Sequence, residues 1–209
     1  MERIKSIQFF LYAMIIGLTG KNACGKGETA SYLKSKGFIY FSLSDVVREE
    51  ATKRGLDHSR DNLIKIGNEL RKNFAPNYLA QQINLKTAEI LKNNPKQNFA
   101  IDSIRSPFEA KELMKNKDFT LVGVDAPIET RFKRLLERNR IGDAKTLEDF
   151  KAQEERENLK SDTNQQMDGT FKLSQEIIRN DGSLEQLHIK IDDLLNNLER
   201  KSKREISRN

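Results

Sequence analysis

The sequence predicts an α/β domain, in which a parallel sheet of five strands is covered by helices on both faces. Short apolar runs alternate with segments of helical periodicity along the chain. Most of these runs are apolar at every position, which is typical of strands that are buried on both faces. The length of 209 residues suffices for one such domain with a substantial core, and is short for two.

The alternation defines the elements in chain order, and no internal repeat is visible. Five runs are predicted as strands: residues 14–18, 38–41, 99–102, 119–125 and 176–180. Seven segments have helical spacing: residues 26–36, 43–54, 60–73, 78–93, 107–115, 127–140 and 184–200.

The charge is modest and unevenly distributed. The net charge of +6 is 37 basic minus 31 acidic groups, and residues 199–209 carry five basic and two acidic groups, or +3. The remaining +3 on the body is too little to predict nucleic-acid binding, so we expect no specific nucleic-acid partner and a solvated basic tail. The single cysteine, Cys24, excludes an intramolecular disulfide and a cysteine cluster for zinc.

The apolar stretch at residues 7–18 has the hydropathy of a signal sequence. It is too short to span a bilayer, it contains Gln8, and it leads directly into a glycine-rich loop. We therefore expect no membrane association and a cytoplasmic protein. Residues 1–13 are interpreted either as an extension packed on the domain or as residues that precede a true start at Met14.

The glycine-rich loop follows the first predicted strand and reads GKNACGKG at residues 20–27. Gly, four residues, Gly and Lys is the spacing of a phosphate-binding loop, whose glycines let the backbone wrap around phosphate oxygens. Lys26 would bring a positive charge to the β- and γ-phosphates, and the helix that begins there would direct its amides at them. The residues predicted to bind the nucleotide here are Gly20, Lys21, Asn22, Ala23, Cys24, Gly25, Lys26, Gly27, Glu28 and Thr29.

Gly27 raises a question about the metal. A Ser or Thr usually follows the lysine, with its hydroxyl on the magnesium ion. This chain has glycine there, so its metal must be held by other groups.

Two stretches interrupt the alternation of strands and helices. Residues 42–98 are almost entirely helical, and residues 138–169 are polar with few aliphatic side chains. Insertions of this kind on a nucleotide-binding sheet usually grip a second substrate and cover the site, although a helical embellishment and a loose loop are the alternative. We expect one domain over residues 1–209, with a core at 14–41, 99–137 and 170–200, an acceptor-binding insertion at about 42–98, a lid at about 138–169 and a basic tail at 201–209.

Charged residues follow the second predicted strand and continue into the insertion. Ser44 or Asp45 could cap a helix. Alternatively, since ligands bind at the carboxyl ends of parallel strands, Asp45 contacts a substrate. Arg48, one turn further along, could reach an anionic acceptor. Arg71 is interpreted either as a phosphate ligand or as a charge that compensates the dipole at the C-terminal end of its helix.

A carboxylate and an arginine follow the third predicted strand. Asp102 ends an apolar run beside the phosphate loop, which is a suitable position to hold magnesium through water. Arg105, three residues later, can bind a phosphate with its guanidinium fork. The alternative is a carboxylate at the sheet end and an exposed arginine.

Arginines recur at helical spacing in the segment 127–140. Arg131, Arg134 and Arg138 share one helix face, and Arg140 opens the polar stretch. We expect Arg138 to contact the nucleotide as well and Arg140 to bind the acceptor. We expect the opposite, apolar face to pack on the sheet, which would leave the guanidiniums toward solvent or phosphate. Positioned arginines stabilise the charge that spreads over a phosphoryl group in transfer.

These motifs, in this order, resemble the P-loop nucleoside monophosphate kinase superfamily over nearly the whole chain. Residues 25–27, Gly-Lys-Gly, are similar to the adenylate kinase loop, and residues 102–105 are similar to its Asp-Gly-Phe-Pro-Arg segment. The resemblance implies that the nucleotide phosphates and water hold the metal, with Asp102 behind it, and that Arg105 contacts the acceptor. Glu28 departs from the adenylate kinase pattern, which has Thr there.

Other segments resemble dephospho-CoA kinases. Residues 41–48 are similar to an Asp-Ala-Asp-x-x-x-Arg segment, which implies that Asp45 is the base, and residues 178–183 are similar to an Asn-x-Gly turn. That turn implies that Asn180 and Gly182 lie beside the adenine. Residues 66–71 and 124–127 resemble adenylate or dephospho-CoA kinase-related ATPases and the P-loop part of deoxycytidylate deaminase-like proteins, but the deaminase zinc motif is absent.

The sequence therefore predicts an ATP- and Mg²⁺-dependent kinase that transfers the γ-phosphate to a small nucleotide-like acceptor. A nucleoside or deoxynucleoside monophosphate is the first interpretation, and dephospho-CoA is the alternative. A nucleotide-binding sensor or partner protein with weak catalysis is the second alternative, because Glu28 would place negative charge near the phosphates. The sequence does not decide between a monomer and a homo-oligomer.

Overall fold

The computed structural model describes residues 13–139, 143–157 and 166–206. All pairings between neighbouring strands of its single five-stranded sheet are parallel, and the strand order is β2-β3-β1-β4-β5. The strands are β1 (Ile15–Thr19), β2 (Ile39–Ser42), β3 (Phe99–Asp102), β4 (Phe119–Asp125) and β5 (Glu176–Arg179).

Helices connect the strands and follow the last one. They are α1 (Lys26–Ser35), α2 (Leu43–Lys53), α3 (Arg60–Asn73), α4 (Tyr78–Asn93), α5 (Pro107–Leu113), α6 (Ile128–Arg138), α7 (Leu147–Glu157), α8 (Met167–Phe171) and α9 (Leu184–Ile206). The α/β prediction and its parallel sheet are confirmed.

Helices cover both faces of the sheet. Because successive strand residues point to opposite sides, neighbouring residues of β1 pack against different helices. Ile16 packs with Leu33 of α1 and Ile191 of α9 in one apolar cluster. Ile15 belongs to a second cluster, which α2, α3, α4 and α5 complete with residues such as Leu79. Each strand of the sheet centre is therefore buried on both sides, as its continuous apolar run predicts.

The register of the strands brings the ends of β1, β2 and β3 together. Ser42 at the end of β2 pairs with Asp102 at the end of β3. At the end of β1, the buried Thr19 hydroxyl donates a 3.1 Å hydrogen bond to the carbonyl oxygen of Ile104. The glycine-rich loop and the segment after β3 are thereby fixed side by side at the carboxyl edge of the sheet.

The polar stretch after α6 contains two helices that the periodicity did not predict. The helix α7 closes a small apolar cluster in which Phe150 and Ala144 pack with Leu135 of α6. The shorter helix α8 lies close to α5 and β1. Few aliphatic side chains are needed for this cluster, which is why the sequence gives a weak helical signal here.

The described part of the chain contains no helix that is both long enough and apolar enough to cross a membrane.

Candidate active site

The glycine-rich loop has the backbone geometry of a phosphate cradle. Gly20 and Gly25 have φ values of +143° and +111°, in the region that favours glycine, and Ala23 has φ of +59°. The ammonium of Lys26 donates to the carbonyl oxygens of Gly20 at 2.7 Å and Lys21 at 3.0 Å. A phosphate that enters the loop would compete with these carbonyls for the ammonium, so the residues present fit a nucleotide.

The loop is supported from behind by Asn180, just after β5. Its buried side-chain amide donates a 2.9 Å hydrogen bond to the carbonyl oxygen of Cys24. A Cβ at Gly25 would overlap this amide, so glycine is required there for close approach as well as for its φ value. Arg134 in turn donates to the main-chain oxygen of Asn180 at 3.1 Å. Asn180 therefore supports the loop directly, and Arg134 supports it through Asn180. Gly182 lies in the exposed segment that follows.

The residues that directly follow Lys26 provide no hydroxyl ligand for a magnesium ion. Thr29 is buried and its hydroxyl donates to the carbonyl oxygen of Gly25 at 3.1 Å, so it is turned into its own helix. Glu28 is exposed at the surface. Gly27 is exposed and has no side chain. Neither Gly27 nor Thr29 therefore offers a hydroxyl to a magnesium ion.

Asp102 is the carboxylate at the end of β3, which pairs with the strand that leads into the loop. One of its oxygens accepts a 2.6 Å hydrogen bond from the amide of Ser103, and the other accepts a 3.4 Å bond from the hydroxyl of Tyr40. Within the described ranges, no cluster of three or more acidic, His or Cys side chains could bind a metal alone. The donor set fits a magnesium ion that arrives with nucleotide phosphates and meets Asp102 through water.

The charge of Asp102 acts on a neighbouring tyrosine. Burial, and second the negative charge of Asp102, raise the pKa of Tyr40 to about 12. The protonated phenol thus stabilises the fold below the usual tyrosine pKa of about 10, and this contribution is lost between about pH 10 and pH 12. Ultraviolet titration of tyrosinate, compared with the Tyr40→Phe variant, should show this high midpoint.

The Asp102→Asn variant tests the cause. Its Tyr40 should ionise at a lower pH than in the wild type, but still above pH 10, because burial remains when the charge is removed. A Tyr40 titration that superimposes on that of the wild type would show that the charge of Asp102 does not act on the phenol.

A groove of about 510 Å³ begins at the loop and runs between α2 and α3. Gly20, Asn22 and Lys26 line it on the loop side. Apolar side chains such as Val47 and Leu63 line the part that faces the insertion. The structure also brings together in this groove four arginines that are far apart in the sequence: Arg48, Arg71, Arg105 and Arg138.

Arg71 is held by a carboxylate that the sequence analysis missed. Glu109 is completely buried, and its Oε1 accepts hydrogen bonds from Arg71 at 2.8 Å and 3.1 Å. Its Oε2 accepts from the amide of Arg105 at 2.9 Å and from the amide of Ser106 at 3.1 Å. A signal was present: Ser106-Pro107-Phe108-Glu109 is a capping-box sequence, and the box forms at the start of α5.

Asp45 and Arg48 form an exposed ion pair of 2.7 Å on α2. Arg48 lines the groove, and Asp45 is outside its lining among the described residues. The capping interpretation of Asp45 is not supported, because the side chain of Ser42 accepts from the amide of Ser44 and caps this helix. Asp45 therefore contacts a residue of the groove lining, Arg48, but does not line the groove itself.

The arginines of α6 are arranged differently from the expectation. Arg131 is buried, donates to Ala126 and Asn22 main-chain oxygens, and forms an ion pair with Glu154 of α7. Arg138 binds both carboxylate oxygens of Asp143 at 2.8 Å.

The prediction that the apolar face of α6 packs on the sheet is wrong. Leu135 and Phe132 pack with Phe150 of α7 and Ala23 of the loop instead, and Leu136 is 44% exposed. The unpredicted helix α7 supplies the missing packing partner, and Glu154 on it compensates the charge of the buried arginine. The predicted acceptor ligand Arg140 lies outside the described residues.

Known proteins support the assignment of the fold. The family described as AAA domain matches residues 16–158. The UPF0200 protein TK1334 of Thermococcus kodakarensis is 30% identical over 188 residues, which cover 88% of this chain and 98% of that protein. Among solved structures, TT1252 of Thermus thermophilus superimposes with a TM-score of 0.58 at 21% identity, covering 90% of this chain and 98% of that one. The dephospho-CoA kinase of Campylobacter jejuni superimposes with a TM-score of 0.55 at 17% identity, covering 90% of this chain and 98% of that one.

The sheet and the loop define a P-loop α/β domain, and its fold is similar to that of P-loop kinases, in line with the resemblance seen in the sequence. The chain belongs to the AAA domain family and to the UPF0200 proteins.

Proposed function

We propose that the protein is an ATP-dependent phosphotransferase whose acceptor is a nucleoside or deoxynucleoside monophosphate. One observation carries the proposal. The groove is continuous from Lys26 of the phosphate loop to Arg48 and Arg105, so a donor phosphate and an anionic acceptor can meet in one space. Phosphoryl transfer requires cationic side chains around the reacting phosphate, because negative charge is delocalised over the oxygens of the transferred group.

The loop side of the groove would bind the donor. The amides at the start of α1 and the ammonium of Lys26 would hold the β- and γ-phosphates of ATP. Asp102 would hold magnesium through water, and the ion would neutralise phosphate charge when bound. Arg131 and Arg134 support the loop from two sides through Asn22 and Asn180, so their contribution would be to keep its shape.

The insertion side would bind the acceptor. Arg48 and Arg105 would contact the acceptor phosphate, and Arg71, fixed by Glu109, would add positive charge at the groove wall. Asp45 would orient Arg48 and, through it, the acceptor. Arg138, already joined to Asp143 at the groove, would approach the transferring group when the lid closes and excludes water.

The test is a panel of acceptors with ATP labelled in the γ-phosphate. Ribonucleoside and deoxyribonucleoside monophosphates, dephospho-CoA and water alone are compared as acceptors with magnesium present. We expect label in a nucleoside diphosphate, with less released as free phosphate. Turnover of dephospho-CoA alone would replace the proposed acceptor, and equal hydrolysis with every acceptor would favour a nucleotide-binding sensor instead.

Dephospho-CoA remains the second candidate because one observation favours it. The Asp45–Arg48 pair lies just beyond the end of β2, so a carboxylate is close to an acceptor held by Arg48. A hydroxyl acceptor benefits from such a base, whereas a phosphate acceptor does not need one. Asp45→Asn separates the two candidates: transfer to a hydroxyl should fall about 10²-fold or more, and transfer to a phosphate should fall less.

A further inference from the structure

The face of α3 that lines the groove changes in character from one turn to the next. Arg71, near the loop after β3, is cationic, Asn68 is a neutral amide, and Ile64 is apolar and 43% exposed. At a rise of about 1.5 Å per residue, Arg71 and Ile64 are roughly 10 Å apart along the helix axis. An occupant that matches this wall has an anionic end, a hydrogen-bonding middle and an apolar surface.

Asn68 is the polar side chain on this face of α3 whose amide stabilises no other described residue by a hydrogen bond. It is half-buried and lines the groove, and its amide makes no hydrogen bond to any residue that the structure describes. A partly buried amide that lacks partners is costly unless water or a ligand satisfies it. Its neighbours Arg71 and Arg48 are occupied by Glu109 and Asp45, so Asn68 differs from them in this respect.

Space beside Asn68 is kept open by a glycine. A Cβ at Gly67 would lie 3.2 Å from a guanidinium nitrogen of Arg71 and 3.6 Å from a methyl carbon of Val47. Any side chain at Gly67 would therefore push on Arg71 or fill the gap between α2 and α3. Asn68 lines the same groove between the two helices, together with apolar Val47 and Leu63.

We propose that Asn68 determines acceptor specificity by hydrogen bonding to the edge of a nucleobase. This inference rests on the proposed function and narrows it to acceptors with a planar heterocyclic ring. The side-chain amide supplies a donor and an acceptor in one plane, which matches the paired donor and acceptor atoms on a base edge. The flanking apolar side chains Val47, Leu63 and Ile64 would contact the ring faces, and the arginines would bind the phosphate.

The experiment compares Asn68→Leu with the wild type for monophosphates of the four common bases. Leucine has a similar size and no hydrogen-bonding group, so the groove keeps its volume. We expect KM for the preferred monophosphate to rise about 10- to 100-fold with kcat changed less, and the ranking of the bases by kcat/KM to flatten. Asn68→Asp, which can only accept when ionised, should change the ranking rather than flatten it.

Asn73→Leu is the matched control. Asn73 is on the same helix and exposed, and it lies outside the groove lining among the described residues, so its variant should keep the wild-type KM and ranking. Thermal unfolding of both variants checks that α3 stays folded. An Asn68→Leu enzyme with the wild-type ranking would overturn the inference while the proposed function stands.

Calorimetric binding of the same monophosphates makes the two proposals separable. It needs no turnover, so a wild type that binds them selectively but transfers no phosphate would contradict the proposed function only. The inference would then be decided by whether Asn68→Leu loses the binding selectivity. A wild type that binds no monophosphate would overturn both.

Discussion

Replacement of Lys26 by methionine is expected to lower kcat for phosphoryl transfer about 10²- to 10³-fold and to weaken ATP binding. The ammonium is held by two main-chain carbonyl oxygens of the loop, where a phosphate that enters the loop would meet it. Its positive charge stabilises the negative charge that develops on the transferring group, and this effect is largest where water is excluded. Initial rates and calorimetric ATP titrations measure the two effects.

Lys34→Met is the control for this prediction. Lys34 is on the same helix, two turns further along, and its side chain is exposed. The same charge and nearly the same shape are removed, so a general effect of net charge on nucleotide binding would appear in both variants. Unchanged ATP affinity in Lys26→Met, with a normal thermal melt, would contradict the assignment of the loop.

Replacement of Glu109 by alanine is expected to lower the free energy of unfolding by about 3–5 kcal/mol. Glu109 is completely buried, and without it Arg71 would keep a charge with 9% side-chain exposure and no carboxylate partner. The amides of Arg105 and Ser106 would also lose their acceptor. Urea unfolding followed by circular dichroism gives the value.

Two further variants separate charge from packing in this cluster. Glu109→Ala combined with Arg71→Met removes both charges, so it should be less destabilised than Glu109→Ala alone. Glu49→Ala breaks the exposed pair with Lys86 and should cost at most about 1 kcal/mol. A loss for Glu109→Ala as small as that for Glu49→Ala would show that the buried pair is not holding α3 to α5.

The sequence allowed prediction of those parts of the site that depend on local pattern. The loop glycines with positive φ, and a carboxylate at the end of β3 beside them, follow from motif spacing and from the rule for parallel strands. The strand limits differ from the prediction by one residue at most at each end. Such features need only neighbouring residues to be recognised.

Prediction was weaker where partners come from distant parts of the chain. The three α6 arginines have one helical pattern, yet Arg131 is buried against α7, Arg134 contacts Asn180, and Arg138 binds Asp143. Periodicity places them on one face but cannot say which carboxylate or carbonyl meets each one. In the same way, Arg71 and Glu109 are 38 residues apart, and their contact depends on how α3 packs on α5.

Glu109 also has a consequence for how ATP and the acceptor affect each other's binding. One of its oxygens holds the helix that lines the groove, and the other holds the segment that directly follows Asp102. A ligand that orders one of these segments would also order the other through Glu109. The second ligand would then lose less conformational entropy when it binds. We therefore expect ATP and acceptor to raise each other's affinity, and thermodynamic reciprocity requires that the factor be the same in both directions.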